Sequence, residues 1–357
     1  MSKIVIITVN NLYLTPYINN YTKHIATDFD IIYWNRDEIT ESSSAKNVFG
    51  FIGYINPKQS KLKKIVMYLK FRKYVKKILK SNKYEKIIFL NTMSAVLIGK
   101  NVGAKYIVDI RDYTFEHNIF FYNIEKKVIK GSELSVISSE GYRKFLPKHE
   151  YILVHNSQQL EDLPKKINDK GKLTEIRPII ISFVGLIRFF EISKKIIIEL
   201  KNDPRFKLNF IGKGSEMLRQ FCISENVTNV QLISKFESNE TMRYFEECDI
   251  VYNLYGNDNP SVIYALSNKL YYAAFLNKPI LVNPNTFMYD ISFKYHMGIS
   301  VNLDSRTIAD DIYEQFINLD FSTLKKGCDD FMNHVKIDNT NFDLKVSQFI
   351  GDENEIE

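Results

Sequence analysis

Positively charged side chains follow a short apolar run that ends at a glycine. Gly185 closes the run, Arg188 comes three residues later, and Lys194 and Lys195 follow in the next predicted helix. A glycine lets the backbone turn close to a ligand, and the planar guanidinium of an arginine matches two phosphate oxygens at once. This spacing predicts a phosphate-binding turn. The alternative is a solvated pair between Arg188 and Glu191.

A second glycine turn lies further along the chain. Gly212, Lys213 and Gly214 follow another apolar run and stand before a predicted helix. The two glycines free backbone N–H groups to face an anion, and the start of a helix adds a favourable dipole. Turns of this kind also occur in many α/β proteins that bind nothing, so a purely structural turn remains the alternative.

A third cation stands at the start of a predicted helix. Ser267 is placed to cap a helix that begins at Asn268, and Lys269 then falls in the first turn. A cation beside the first N–H groups is disfavoured by the helix dipole unless an anion lies between them. The pattern therefore predicts a phosphate here, and the alternative is an ordinary core helix.

An acidic cluster with a histidine follows a predicted strand in the first half of the chain. It contains Asp109, Asp112, Glu116 and His117. Asp112 or His117 has the chemistry to bind an acceptor hydroxyl group or to take its proton. The alternative is a structural loop in which Arg111 pairs with Asp112.

Several other chemistries are excluded by the sequence. No HExxH, Walker A or GxSxG motif is present. The three cysteines, Cys222, Cys248 and Cys328, are far apart and form no CxxC pair, so neither structural zinc nor a disulfide framework is expected. A reducing compartment is therefore expected.

The elements that position these residues alternate between strand and helix, which is typical of doubly wound parallel sheets. Apolar runs predict strands at 4–9, 31–34, 87–90, 107–110, 134–137, 151–154, 179–184, 208–211, 230–233, 250–254 and 280–282. Helical stretches lie between them, and a last helix is predicted at 342–350.

The length of 357 residues suits two domains. A polar stretch with Pro164 and Gly171 interrupts the alternation and predicts a linker. The expected fold is α/β, with two Rossmann-like domains facing a central cleft. They comprise residues 1–160 and 178–335, joined by a linker at 161–177. A C-terminal helix and acidic tail at 336–357 could cross back to the first domain.

One segment holds most of the positive charge. The formal net charge is +6, yet Lys61–Lys86 alone has eleven Lys or Arg against one acid, Glu85. Apolar residues recur there at three- and four-residue steps, so one helix face can pack while the other is cationic. We expect this helix to dock on an anionic membrane surface.

Two alternatives to membrane docking are a solvated helix face and nucleic-acid binding, but no RNA-binding signature accompanies the segment. We therefore expect no nucleic-acid partner. Ile4–Val9 is too short for a signal-peptide core, and no apolar stretch approaches the length of a membrane span. Any membrane contact is expected to be peripheral.

Ordered blocks of the sequence resemble family 4 of the GT-B glycosyltransferases, especially members that assemble bacterial capsule, O-antigen or exopolysaccharide. The blocks lie between residues 105 and 285: Val108–Asp112, Val136–Gly141, Tyr151–Asn156, Phe183–Gly185 with Arg188 and Lys194, Ile211–Gly214, Cys248–Val251 and Ser267–Ile280. The last block matches the donor site of the family best.

The resemblance implies a GT-B fold, a nucleotide-sugar donor and no obligatory metal. It implies that Arg188, with Lys194 or Lys195, holds the donor diphosphate, and that the helix from Asn268 receives phosphate or ribose. The family commonly has two glutamates eight positions apart, where this sequence has Tyr264 and Tyr272. We expect Tyr272 to take the place of the ribose-binding glutamate.

The function that the resemblance implies is that of a retaining hexosyltransferase. It would move a sugar from a nucleotide-sugar donor to a lipid-linked or oligosaccharide acceptor, at the cytoplasmic face of the cell membrane. One alternative is a non-catalytic GT-B-like binding or scaffold subunit, suggested by the two missing glutamates. A sugar-nucleotide epimerase is a further alternative, but no acidic and histidine cluster of the kind it needs is evident in the second domain.

Overall fold

The computed structural model describes residues 3–56, 59–99, 102–157, 160 and 177–351. The chain forms two compact units. The first consists of the residues up to His155 together with those from Ile337 onward, and the second runs from Asn156 to Lys336. The linker predicted at 161–177 lies outside the described residues except for Arg177, as does the tail after Gly351.

The first unit is built on a parallel sheet of seven strands among the described residues, in the order β3-β2-β1-β4-β5-β6-β7. The strands are β1 Ile4–Thr8, β2 Phe29–Asn35, β3 Asn47–Ile52, β4 Lys86–Phe89, β5 Lys105–Ile110, β6 Leu134–Ile137 and β7 Ile152–Leu153. Parallel strands are covered on both faces, which is why central strands such as β1 are continuous apolar runs. The edge strand β3 is mostly half-buried or exposed.

Four helices of the first unit precede its C-terminal segment in the described chain: α1 Asn19–Thr22, α2 Lys61–Asn82, α3 Thr92–Ile98 and α4 Ile119–Lys130. Ser60 caps α2 by accepting a hydrogen bond from the Lys63 N–H, and Lys83 ends it in the left-handed conformation. Helix α3 packs against both α2 and α4. These three helices therefore lie side by side.

The predicted packing of the basic helix α2 is confirmed for its second half only. Phe71 and Val75 are buried, and Trp34 stacks on Phe71 with a centroid distance of 5.2 Å. Leu69, by contrast, is exposed. Leu62, Ile65 and Val66, in the first half of α2, are exposed as well.

The second unit has a parallel sheet of six strands within the described residues, in the order β10-β9-β8-β11-β12-β13. The strands are β8 Ile179–Val184, β9 Phe206–Ile211, β10 Val230–Ile233, β11 Ile250–Asn253, β12 Ile280–Val282 and β13 Gly298–Ser300. The order reverses between β8 and β11, which creates a crevice outside the carboxyl ends of these two strands.

The helices of the second unit cover both faces of its sheet with two apolar clusters. They are α5 Phe190–Glu199, α6 Arg219–Ser224, α7 Thr241–Glu247, α8 Pro260–Ile263, α9 Asn268–Phe275, α10 Phe287–Lys294 and α11 Ile308–Ile317. Two doubly wound α/β units confirm the fold class predicted from the sequence.

The C-terminal helix α12, Phe321–Ile350, is much longer than the predicted 342–350. Leu324, Cys328, Phe331 and Val335 are buried in the core of the second unit, and Phe342 and Val346 in that of the first. Their spacing of three, four and seven residues is helical. Gly327 and the polar residues between them obscured the pattern in the sequence.

Membrane-spanning helices were sought among the described residues. None combines the length with the hydropathy that crossing a bilayer requires.

Candidate functional site

A buried lysine marks the crevice of the second unit. Lys269 is 7% exposed, and its ammonium donates a hydrogen bond to the Tyr255 hydroxyl at 2.6 Å. The ammonium also lies 4.2 Å from the centroid of the Phe183 ring. Phe183 belongs to β8 and Tyr255 follows β11, so the ammonium sits where the strand order reverses. It forms no ion pair with any carboxylate of the described residues.

The two glycine turns lie against each other beside this lysine. The Gly185 N–H donates to the Ile211 carbonyl at 2.8 Å, and a Cβ on Gly185 would stand 3.7 Å from the Lys269 ammonium. Gly212 has a φ of +129°, and a Cβ there would lie 2.1 Å from the Gly185 carbonyl oxygen. Only glycine allows this close approach of two backbones. Gly214, with φ +101°, packs in the same way on Ile187.

Arg188 and Lys213 extend from these turns into solvent. Both are exposed, and neither side chain has a hydrogen bond or an ion pair with another described residue. The alternative pairing of Arg188 with Glu191 is wrong, because Glu191 pairs with Lys194 at 2.8 Å. Lys195 likewise lies 3.5 Å from Asp304. Arg188 and Lys213 are therefore the two cations of these turns that stay available to an anion.

The helix start predicted at Asn268 is confirmed. Ser267 caps α9, and its hydroxyl accepts a hydrogen bond from the Lys269 N–H at 3.3 Å. Asn268 is exposed. Tyr272 is 8% exposed and stacks on Phe245 with a centroid distance of 4.7 Å, and burial raises its pKa. Its ring packs in the core, and a ribose contact by its hydroxyl stays a prediction.

The acidic cluster of the first unit is organised by a buried ion pair. The Arg111 guanidinium donates to both Asp109 oxygens, at 2.7 and 2.8 Å, and the Tyr21 hydroxyl donates to Asp109 at 2.8 Å. Asp109 is therefore the bidentate partner of Arg111, and the alternative pairing of Arg111 with Asp112 stays a prediction. The Arg111 guanidinium lies 4.5 Å above the Tyr17 ring. These contacts fix the chain where it leaves β5.

Asp112 and His117 lie on the exposed loop after this ion pair. The His117 ring stacks on Tyr113, and the Tyr113 hydroxyl is 3.4 Å from Nδ1 of His117. Both candidate residues are thus reachable from solvent at the carboxyl end of β5. A catalytic role for either one stays a prediction.

Two carboxyl groups in and after this loop are buried: Glu116 of the acidic cluster, and Glu125, which the sequence analysis did not single out. Glu125 in α4 is 1% exposed and Glu116 is 8% exposed. The Glu116 Oε2 accepts from the Thr114 N–H at 2.6 Å, but its Oε1 and both Glu125 oxygens meet no donor among the described residues. Burial and the adjacent Glu116 raise the pKa of Glu125 to about 8. The two carboxyls can satisfy each other only by sharing a proton.

Metal-binding clusters were also sought. In the described part of the chain, no three His, Cys, Asp or Glu side chains converge as ligands of one ion would.

Comparison with known proteins gives matches at the level of structure. No protein-family profile and no curated protein matches the sequence. Sucrose-phosphate synthase from Thermosynechococcus elongatus superposes with a TM-score of 0.68 at 11% identity, over 97% of both chains. Anabaena Alr3699/HepE in complex with UDP and glucose gives 0.60 at 10% identity, over 98% of both chains. The lipopolysaccharide outer core galactosyltransferase WaaB gives 0.62 at 13% identity, over 96% of this chain and 99% of that one.

The chain has the GT-B fold. At these identities the similarity establishes the fold alone, so the roles of individual residues depend on their geometry in this chain.

Two further residues of this GT-B fold could have been found from the sequence, each by its own rule. Tyr255 follows the carboxyl end of β11, as Gly185 follows that of β8, and strand ends are where ligands bind in such folds. Glu125 stands three and four residues before Val128 and Ile129, which are buried on the same helix face. A lone acid on an apolar face signals a buried carboxyl group.

The Glu116–Glu125 pair makes stability depend on pH. The folded protein keeps a proton on Glu125 up to a pKa of about 8, whereas the unfolded chain releases it near the ordinary value of 4.5. The stabilisation is complete below about pH 4.5 and is lost as the pH rises towards 8. Glutamine can donate the missing hydrogen bond at every pH. We expect the Tm of Glu125→Gln to exceed that of the wild type increasingly between pH 5 and about 8, measured by calorimetry.

The exposed Glu133→Gln variant is the control for this experiment and should follow the wild-type curve. Parallel curves for wild type and Glu125→Gln would contradict the shared proton.

Proposed function

We propose that this protein is a glycosyltransferase that moves a sugar from a nucleotide-sugar donor to an acceptor hydroxyl group. The observation that carries the proposal is the buried Lys269 ammonium, which lies at the strand-order reversal of the second unit and has no carboxylate partner in the described part of the chain. Burying a charge without a counterion is costly. A phosphate group of a ligand would supply the missing negative charge.

The surroundings of Lys269 favour a diphosphate over a single small anion. The backbone of Gly185 and Gly212 allows close approach on one side, and exposed Arg188 and Lys213 add two cations from the same turns. A nucleotide diphosphate has several charged oxygens, so Lys269, Arg188 and Lys213 could each bind a different one. HepE, a protein of this fold, is described in complex with UDP and glucose, which supports the same ligand class here.

The chemistry that we propose uses these cations twice. They bind the diphosphate in the donor, and they stabilise the negative charge that develops on it as the bond to the sugar breaks. Lys194, paired with Glu191, is a weaker candidate for this role than Arg188. In the first unit, Asp112 or His117 would bind or deprotonate the acceptor hydroxyl group.

The finer parts of the proposal come from the family 4 resemblance. They are retention of configuration, a hexose donor, a lipid-linked or oligosaccharide acceptor, a role in bacterial surface glycan assembly, and no requirement for a metal or cofactor. The protein would work at the cytoplasmic face of the membrane, held by the basic segment Lys61–Lys86.

A non-catalytic binding subunit is the second candidate function. It is favoured by Tyr272, whose ring packs on Phe245 where the family places a carboxylate. Such a protein would bind the nucleotide sugar and would neither transfer nor hydrolyse it. Measuring sugar release from the donor that binds best separates the two candidates.

Lys269→Met should separate ligand binding from stability. Methionine keeps the length of the side chain and removes the buried charge, so we expect the Tm without ligand to stay the same or rise. Donor affinity should fall by about 1.5–3 kcal/mol, the usual contribution of a hydrogen bond to a charged group. Calorimetry would use whichever UDP-, GDP-, CMP- or dTDP-sugar raises the Tm most.

Lys278→Met is the matched control, because Lys278 is equally buried but donates to the carbonyls of Glu246 and Cys248. It should lower the Tm and leave donor affinity unchanged. If Lys269→Met binds every nucleotide sugar as tightly as the wild type does, the donor site does not include Lys269.

Arg188→Ala should weaken donor binding without affecting the fold. The side chain is exposed and unpaired among the described residues, so its loss removes no internal contact. We expect a loss of about 1.5–3 kcal/mol in donor binding by calorimetry. Lys207→Ala, an exposed cation near the amino end of β9, should bind donor normally. Equal affinities for Arg188→Ala and Lys207→Ala would remove Arg188 from the site.

Charge reversal on α2 tests the membrane contact. Each Lys or Arg near an anionic surface contributes about 1 kcal/mol to binding. We expect the combined variant Lys70→Glu, Lys73→Glu, Lys76→Glu, Lys77→Glu and Lys80→Glu to lose sedimentation with anionic liposomes. Wild-type binding should weaken at high salt and be poor on neutral vesicles. Binding that survives the five substitutions would refute docking through α2.

A further inference from the structure

The exposed side chains of α2 change in character along the helix. Leu62, Ile65, Val66 and Leu69 lie in its first half and are all at least half exposed, with Leu62 at 74%. Between Leu69 and Lys80, by contrast, every exposed side chain is a lysine or an arginine. Exposed Lys61 and Lys63 stand among these apolar residues, so positive charge runs along the whole of α2, while its large exposed apolar side chains lie in the first half only.

Helix α4 repeats this arrangement. Ile119, Phe120 and Ile124 are exposed near its start, and Phe120 reaches 77%. After Ile124 the exposed residues are Lys126, Lys127 and Lys130. The acid of this helix, Glu125, is buried and keeps its proton up to a pKa of about 8. No exposed acid offsets the positive charge of α4 at neutral pH.

The topology brings the two apolar helix starts to the same edge of the sheet. Helix α2 follows β3 and α4 follows β5, and these strands run parallel in one sheet. Both helices therefore begin at the carboxyl edge and run back along the sheet, on either side of α3. Exposed Tyr54 and Phe115, in the loops that lead into them, extend the apolar surface at that edge.

We propose that this carboxyl edge of the first unit inserts its apolar side chains into the surface of an anionic bilayer. The inference rests on the proposed membrane location and adds an orientation and a depth. Side chains such as Phe120, Ile119 and Leu62 enter the boundary between headgroups and acyl chains, and the lysines further along both helices stay at the level of the phosphates.

Charge favours a bilayer over a protein as the occupant of this surface. The cores of protein interfaces are depleted of lysine, whereas apolar side chains flanked by lysines are typical of segments that lie at a membrane interface. The two helices together present nine exposed lysines or arginines after their exposed apolar residues: Lys70, Arg72, Lys73, Lys76, Lys77, Lys80, Lys126, Lys127 and Lys130.

The orientation has a consequence for the acceptor. Asp112 and His117 lie in the loop between β5 and α4, at the same edge. A bilayer at this edge places that loop at headgroup depth. The acceptor group that reaches these residues would then be attached close to a lipid phosphate, not at the end of a long glycan.

Tryptophan depth measurements test the insertion. Trp34, the single native tryptophan, is fully buried and supplies a constant background. Phe120→Trp and Lys130→Trp place a second tryptophan at the two ends of α4. On anionic vesicles with brominated acyl chains, we expect quenching at position 120 to exceed that at position 130 roughly twofold or more.

Apolar-to-polar substitutions test the energetic contribution. The double variant Ile65→Ser and Phe120→Ser should sediment with anionic vesicles about tenfold more weakly than the wild type. Ile337→Ser, an equally exposed apolar position on α12, should bind as the wild type does. Ile65, Phe120 and Ile337 are all exposed, so neither the double variant nor the control removes a core contact.

The outcomes separate this inference from the proposed function. Salt-sensitive binding with equal quenching at positions 120 and 130 would overturn the insertion and leave docking through the charges of α2 intact. No binding to any vesicle would overturn both membrane proposals, and a protein partner would then be the occupant to seek. Donor binding, measured without vesicles, should be the same in all of these variants.

Discussion

Parallel pairing brings the carboxyl end of every strand to one edge of its sheet, and both candidate sites depend on that constraint. In the second unit it places Gly185 after β8 and Tyr255 after β11, on the two sides of the strand-order reversal. Lys269 arrives from a helix that begins at the same edge. In the first unit the same rule gathers the loop that carries Asp112 and the apolar starts of two helices. The proposed ligand site and the proposed membrane surface therefore both follow from the parallel arrangement of the strands, which brings the side chains that form them to one edge of each sheet.

Three buried cations among the described residues have different partners, and this difference is the basis of the ligand site that we propose. Arg111 has its own carboxylate in Asp109, bound through two hydrogen bonds. Lys278 has two backbone carbonyls. Lys269 has a phenol and two aromatic faces, which compensate a buried charge only in part. Lys269 is thus the least completely compensated of the three, which is why we propose it, and not Arg111 or Lys278, as the cation that binds a ligand.

Much of the fold could be predicted from the sequence, because buried parallel strands and capped helices leave local patterns. The β-branched runs located the central strands, and Ser267 located the start of α9. The edge strand β3 was missed, since half its residues face solvent and its apolar alternation is weak. The partner of Arg111 could not be assigned either. Asp109 and Asp112 are both close in sequence, and only the direction of the chain at the end of β5 decides between them. The approach of Glu116, in the loop after β5, to Glu125, in the helix that follows, also has no signature in the sequence spacing.

Helix α12 has a consequence for the order in which the protein can be completed during synthesis. Its last turns supply Phe342 and Val346 to the core of the first unit, where Tyr21 packs edge-on against Phe342. The Asp338 carboxylate lies 3.0 Å from Nε2 of His155, in the same unit. These residues follow the whole of the second unit in the chain. On the ribosome, where domains usually fold in the order of their synthesis, the first unit must wait with an unfilled core while the second, which is continuous, can fold. The nascent chain therefore exposes apolar surface of its earliest segment for longest, which makes that segment a natural client for chaperones.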